Sequence, residues 1–307
     1  MQVQAQVKTQ TQVRGVDRGV LLVAGAALLF ACKGTLIKYI YGLGASVADL
    51  MILRLLFSMP IYLCIAIRYR PQTRPPLKLW IGVALCGMLG YYVSSYFDMM
   101  GLQTISPGLE RMILYTYPAF VVIFSTFLLN RPLSLPLCLC IAVIYCGLGL
   151  VFYADVRAQP VASIAAIGVG SLFVLCSAVT FAGYAIGSEY FMRTFSSALF
   201  TSVAMLAAGA AMSAHYAIFH EPAHLLRLSA GVYGWSALTA LLFTVVPAFM
   251  MSAGVRRIGS GKASAVGMVG PVATVVVAAA FLGETVSVLQ IVGLAVVMAG
   301  VHRLHRV

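Results

Sequence analysis

Five ionisable residues stand inside long apolar stretches: Lys33, Arg54, Asp98, Glu110 and Arg111. If those stretches cross a bilayer, each charge costs about 2.5–3.5 kcal/mol near its centre, so such residues mark places where something uses them. Counting 1.5 Å per residue along oppositely running helices puts Lys33 and Arg54 at one depth, roughly 10 Å below one face. Glu110 and Arg111 come one turn shallower, and Asp98 closes its helix. The chemistry this allows is a polar cavity that holds a charged group of a small molecule. Three cations against two anions favour a carboxylate-bearing or zwitterionic ligand. The plainer alternative is a static ion-pair network that orients helices. Because Glu110 and Arg111 are sequence neighbours, they point about 100° apart on a helix. Each is therefore expected to pair with a different helix, Glu110 with Lys33 or Arg54.

A second set of residues is aromatic: Tyr91, Tyr92, Tyr96, Tyr115 and Tyr117, with Phe181, Tyr184, Phe243 and Phe249 later in the chain. Of these, Tyr92, Tyr96, Tyr115 and Tyr184 are taken as candidate ligand contacts in an amphipathic pocket. Aromatic side chains near helix ends also serve as packing or as interfacial anchors.

Two motifs promise chemistry that their surroundings refuse. His220, Glu221, Pro222, Ala223 and His224 spell the pattern of zinc peptidases, which needs both imidazoles on one helix face. Pro222 breaks that helix, so metallopeptidase activity is a remote alternative. The run Gly259-Ser-Gly-Lys262 has a phosphate-loop flavour, but Ala263 follows it and Arg256 stands where its first Gly belongs. With eight carboxylates and five histidines in the chain, other catalytic sets are hard to assemble. No enzyme, cofactor or metal is expected.

The elements that must position these residues are membrane helices. Hydrophobic residues make up 62% and charged residues 9% of the chain, against roughly 45–50% and about 25% in soluble domains. Apolar blocks of about 20 residues match a hydrocarbon core of roughly 30 Å. The reading is an all-α membrane protein with ten helices near 20–41, 47–67, 79–99, 107–129, 134–153, 163–188, 196–218, 231–253, 261–282 and 287–303. Residues 1–18 form a polar tail without the apolar core and cleavage site of a signal peptide. The seven cysteines lie in apolar blocks without a CxxC pair and read as small hydrophobes.

The net charge of +12 follows membrane topology and leaves nucleic-acid binding without a module to host it. Lys8, Arg14 and Arg18, then Arg68, Arg70, Arg74 and Lys78, then Arg193, Arg256, Arg257 and Lys262, then Arg303 and Arg306 occupy both termini and alternate connections. With ten crossings this puts both ends in the cytoplasm. Asp49, Asp155 and Glu221 fall on the opposite side.

A shift of 153 residues superposes Gly101 on Gly254, Ile105 on Ile258, Gly108 on Gly261, Pro118 on Pro271, Val122 on Val275, Leu129 on Leu282, Ser134 on Ser287, Ala142 on Ala295, Val143 on Val296 and Gly147 on Gly300, with no gap. The chain therefore reads as two five-helix repeats, 19–153 and 163–303. An odd number of helices per repeat makes the second enter from the other side, so the duplication is inverted. Such duplications give carriers two nearly equivalent openings around a midplane site. Pro118 and Pro271 are repeat equivalents and the expected paired hinges; Pro60 and Pro247 are further interruptions. Gly183 and Gly187 mark a close helix contact.

Gly261, Ala263, Ala265, Pro271, Phe281-Leu-Gly-Glu284, Ser287, Gln290, Gly293 and Gly300 resemble the EamA repeat of the drug/metabolite transporter superfamily. Gly101-Leu-Gln-Thr-Ile-Ser106, Gly108-Leu-Glu-Arg111 and Tyr117-Pro118 resemble its first-repeat counterpart, and the likeness spans residues 20–303. The resemblance implies a ten-helix carrier in the cell (inner) membrane with cytoplasmic termini, moving amino acids or other small metabolites, often outward. Glu284 would then cap a helix connection. In the first repeat Leu129-Asn-Arg-Pro132 stands where Gly-Glu is expected. The function expected is a secondary transporter or facilitator working by alternating access, with Lys33, Arg54 and Arg111 drawing an anionic group and Glu110 taking the proton if transport is proton-coupled. The expected partners are a small metabolite and the bilayer, with a homodimer left open. A non-transporting scaffold or receptor is the alternative.

Overall fold

The structure is a computed structural model that describes the backbone of residues 2–71, 75–128, 135–158, 164–258, 263, 266–267, 269–283 and 286–304, with the side chains of these residues from 18 onward except 125–128, 137, 155, 158 and 304. The described chain is helical: α1 (Gln2–Gly42), α2 (Val47–Arg68), α3 (Leu77–Gly101), α4 (Pro107–Leu114), α5 (Tyr117–Leu128), α6 (Leu135–Ala158), α7 (Ile164–Phe191), α8 (Ser197–Phe219), α9 (Ala230–Ile258), α10 (Val269–Leu282) and α11 (Val288–Leu304). Six described helices have the length and apolar character to cross a membrane: α1 from Arg18, α2, α3, α7, α8 and α9. Shorter apolar helices cover Cys138–Ala154, Val269–Leu282 and Val288–Arg303.

Local chemistry explains the ends. Gly44, at φ +90°, turns the chain after α1, and Ser46 and Asp49 close a reciprocal capping box on α2. Ser106 caps α4, its hydroxyl accepting from Leu109 N at 3.0 Å, with Pro107 in the first turn. Ser196 and Ser229 cap α8 and α9 in the same way. The helix expected over 107–129 is broken at Tyr115 and Thr116. Pro118 has no N–H for the Leu114 carbonyl, and Ala119 bonds back to Thr116 instead. The segment expected as a polar tail is the start of α1, which has no Pro to stop it; α3, α6, α7 and α9 also run a few residues past their expected ends. Residues 129–134 and Glu284 lie outside the described residues.

Among the described residues two stretches inside helices adopt π turns, Met88–Val93 in α3 and Leu241–Val245 in α9. The shift of 153 carries Met88 onto Leu241.

Helix packing repeats with the two halves exchanged. A Cβ on Gly101 of α3 would fall 2.3 Å from Val174 Cγ2 and 2.8 Å from Gly170 O of α7. One on Gly254 of α9 would fall 2.4 Å from Val23 Cγ2 and 3.1 Å from Gly19 O of α1. Likewise Gly147 of α6 abuts Gly293 and Val297 of α11, while Gly300 abuts Ile144 and Cys140. Small residues let helices approach to backbone contact where van der Waals packing supplies the attraction.

The α1–α2, α3–α4 and α8–α9 connections share one end of the bundle, here the Asp49 end. It is closed by a large apolar cluster that includes Ile37, Ile40, Leu50, Met51, Leu102 and Met212. At the opposite end, the Arg257 end, Arg68, Arg70, Lys78, Arg193, Arg256 and Arg257 are exposed.

Candidate functional site

The five charges do converge. Glu110 is 0%, Asp98 2%, Arg54 3% and Arg111 6% exposed, so almost no water reaches the layer they form between α1, α2, α3 and α4. Their positions follow from the caps. Capping by Ser106 puts Glu110 in the first turn of α4, where the positive end of the helix dipole favours a carboxylate. Gly34 of α1 makes room for it, since a Cβ there would sit 3.3 Å from Glu110 Oε2. Asp98 lies one turn inside α3, which continues to Gly101, so its carboxylate is buried instead of standing at a helix end.

The pairing differs from expectation. Lys33 Nζ donates to Asp98 Oδ2 at 3.1 Å, so Lys33 is not the partner of Glu110. Neither is Arg54: the nearest cation to Glu110 is its own neighbour Arg111, with Nε 3.8 Å from Oε2. The flexible Arg111 stem curls back toward Glu110 while Nη2 reaches across to Phe30 O of α1 at 2.9 Å. The 100° separation of neighbouring side chains fixes where they start, not where a long one ends.

Unmet polar atoms remain. Arg54 Nε, Asp98 Oδ1 and both carboxyl oxygens of Glu110 are buried without a hydrogen-bond partner among the described residues. A buried charge without a partner costs several kcal/mol. The layer therefore holds polar atoms of both signs whose hydrogen-bonding capacity is unmet among the described residues.

The aromatic candidates divide into two groups. Tyr92 and Tyr96 belong to a seal at the Asp49 end. Tyr92 Oη lies 2.8 Å from His215 Nδ1 of α8, and Tyr96 packs on the same imidazole with ring centroids 5.2 Å apart. Beside them Tyr216 donates to Asp49 Oδ1 at 2.5 Å, and His224 Nε2 lies 3.5 Å from Asp49 Oδ2. Tyr115 and Tyr184 lie on the far side of the charges. Tyr115 donates to Gly267 O, tying the turn between α4 and α5 to the second half. Tyr184 shares a 2.7 Å hydrogen bond with Tyr91, and Phe181 bridges Tyr184 to Tyr117. Tyr62 of α2 packs against Phe249 with ring centroids 5.5 Å apart, and its buried hydroxyl has no hydrogen-bond partner among the described residues. Tyr62, His215 and Tyr216 were not singled out from the sequence.

Exchanging the halves by the 151-residue offset that relates Gly19 to Gly170 takes Lys33 onto Tyr184. The first half thus presents charge where the second presents an aromatic hydroxyl. Pro118 and Pro271 are both buried. Pro118 follows the break in the helix, and Pro271 lies in the first turn of α10.

The peptidase-like stretch has no peptidase geometry. His220 ends α8 in extended backbone and stacks on Tyr216, whereas His224 lies in a 3₁₀ turn (Pro222–Arg227) facing Asp49. Among the described residues no three His, Cys, Asp or Glu side chains converge on a metal position.

Comparison with known proteins agrees with these features. The chain is 28% identical over 300 residues to a Bacillus subtilis (strain 168) protein called "Uncharacterized transporter YcbK", covering 92% of this chain and 91% of that one. A solved structure titled only "Crystal structure of protein" shares the fold at a TM-score of 0.65 and 17% identity, over 93% of this chain and 94% of the other. Residues 17–153 and 168–303 each match the EamA-like transporter family. The contacts that recur with the halves exchanged are those of a duplicated bundle, and the chain belongs to the EamA-like transporter family, within the drug/metabolite transporter superfamily.

Proposed function

We propose that the protein is a secondary transporter or facilitator of small amphipathic metabolites, amino acids or related zwitterions and anions, and that it exports them by alternating access. The observation that supports this reading is the coexistence, in one buried layer, of Arg54 Nε, Asp98 Oδ1 and both carboxyl oxygens of Glu110, none with a hydrogen-bond partner among the described residues. A zwitterion answers both needs at once: its carboxylate takes Arg54, and its ammonium takes the acidic pair. Tyr62, Tyr91 and Tyr184 continue from the charged layer toward the Arg257 end and would receive the apolar body of the cargo.

In this reading ten spans form two inverted five-helix repeats, 19–153 and 163–303. The Arg257 end faces the cytoplasm, in keeping with its exposed cations and the positive-inside rule. The sealed Asp49 end then faces outward, and the conformation is closed to the outside. The break before Pro118, together with Pro271, would let the two halves rock past each other.

Flux of a radiolabelled amino-acid mixture in proteoliposomes tests the proposal. Uptake above that of empty liposomes, lost in Arg54→Met, is the expected result. Wild-type protein that carries neither amino acids nor organic anions, with or without a pH gradient, would overturn it.

A further inference from the structure

α10 and α11 follow one another in the chain but pack on different neighbours. α10 lies against α1 and α4: a Cβ on Gly270 would fall 2.6 Å from Tyr115 Oη, and one on Gly108 of α4 would meet Val275 Cγ2 at 3.5 Å. α11 lies against α6, where Gly293 meets Gly147. Between the two helices a groove of about 580 Å³ is left, walled by Val272, Val276, Ala279 and Ala280 of α10 and by Ile291 and Leu294 of α11. All of these side chains are aliphatic, and Val276 and Ile291 are more than half exposed, at 62% and 56%.

At the Asp49 end the groove runs into a notch of about 20 Å³, with Val275 and Val286 in the walls of both. That is the room of roughly one water-sized group. The notch is polar, lined by Ser106 and Gln290, and two helix starts meet there. α4 begins behind its Ser106 cap. α11 begins with a reciprocal cap, Ser287 Oγ accepting from Gln290 N at 3.1 Å and Gln290 Oε1 from Ser287 N at 2.8 Å. Helix starts carry positive partial charge, and Glu110 in the first turn of α4 is turned toward Gly34 of α1. An acceptor oxygen suits the notch, and a hydrocarbon chain suits the groove.

In a bilayer the occupant comes from the membrane. Lipid tails are as apolar as Leu, so packing decides what fills the groove, and a void forfeits the van der Waals contacts of its walls. Ten residues of helix, 15 Å long and 10–12 Å across, occupy more than about 1,000 Å³. A helix from a second copy therefore overfills the groove, whereas a single string of methylenes does not.

We propose that the groove between α10 and α11 binds one acyl chain of a bilayer phospholipid, with the ester oxygens of that chain at the Ser106–Gln290 notch, and that the lipid braces the two helices. The site is independent of what the protein carries.

Native mass spectrometry of full-length protein, delipidated in detergent and titrated with palmitoyl-oleoyl phosphatidylglycerol, tests the site. One lipid is expected to stay bound at collision energies that strip the others. It is lost in Ala280→Phe, which fills the groove, and kept in Val169→Phe, at an exposed position of α7. Added lipid should raise the melting temperature of delipidated wild-type protein but not that of Ala280→Phe. Ala280→Leu, a smaller change, should weaken both responses and keeps the test open if the Phe variant fails to fold. Wild-type protein that holds no lipid tightly, or Ala280 variants that retain it as Val169→Phe does, would leave only the general lipid coat and overturn the proposal. A dimer that the Ala280 changes dissociate would seat a second copy in the groove and overturn it likewise.

Discussion

Lys33 and Asp98 form a 3.1 Å ion pair between α1 and α3, both side chains almost entirely withdrawn from solvent. Beside that pair, Arg54 Nε and both oxygens of Glu110 have no hydrogen-bond partner among the described residues. The two kinds of residue, paired and unpaired, should respond oppositely to mutation.

Lys33→Met strands the Asp98 carboxylate among buried groups and should destabilise the protein by about 3–5 kcal/mol. The double variant Lys33→Met/Asp98→Asn should recover most of that loss. Denaturant unfolding of purified protein in detergent reports both. Equal stability of the single and double variants would show that the pair is not coupled.

Arg54→Met should do the reverse. It removes a buried cation whose Nε has no hydrogen-bond partner among the described residues, so the unfolding midpoint should hold or rise, while amino-acid flux falls to background. A variant as unstable as Lys33→Met would place Arg54 in a structural network instead.

Close helix contacts give a stability test independent of charge. A Cβ on Gly87 of α3 would lie 2.4 Å from the Ala204 backbone of α8, which cannot yield as a side chain does. Gly87→Ala should cost about 1–3 kcal/mol by overpacking. Gly168→Ala meets nothing within 4 Å and should be neutral or stabilising by up to about 1 kcal/mol through helix propensity. Thermal melts of the two variants should move apart.

At the Asp49 end the hydroxyl of Tyr216 donates to a buried carboxylate. Tyr216→Phe should cost about 1.5–3 kcal/mol, the usual worth of a hydrogen bond to a charged group. His220→Ala, by contrast, and treatment with a zinc chelator should leave flux unchanged. Chelator sensitivity would revive the metal reading of that stretch.

The bundle was legible because blocks of about 20 apolar residues admit few other structures, and the expected starts near 107 and 196 fall within a residue of the observed Pro107 and Ser197. Membership of the charged layer was legible for the same reason: depth along a helix is a count of residues. Partner choice was not. It depends on α3 running to Gly101, which buries Asp98 within reach of Lys33, and on the Arg111 stem being long enough to curl. Tyr62 and His215 carried no signal, since in a chain with 15 tyrosines and no polar spacing around them nothing separates a seal or pocket residue from packing. The break at Tyr115 and Thr116 was foreshadowed by Pro118, but its position depends on which carbonyl Thr116 and Ala119 take.

The paired π turns give the sequence repeat its arithmetic. A π turn holds one more residue than the α turn it replaces, so a wide turn in only one half would have forced a gap between the two copies upstream of Gly101. Because α3 and α9 both contain it, Met88 stays exactly as far from Gly101 in chain length as Leu241 does from Gly254. The two copies have kept equal length through a stretch where backbone irregularity would most readily have been lost, and deleting a single residue from one wide turn would rotate every following side chain of that helix by about 100° relative to its counterpart.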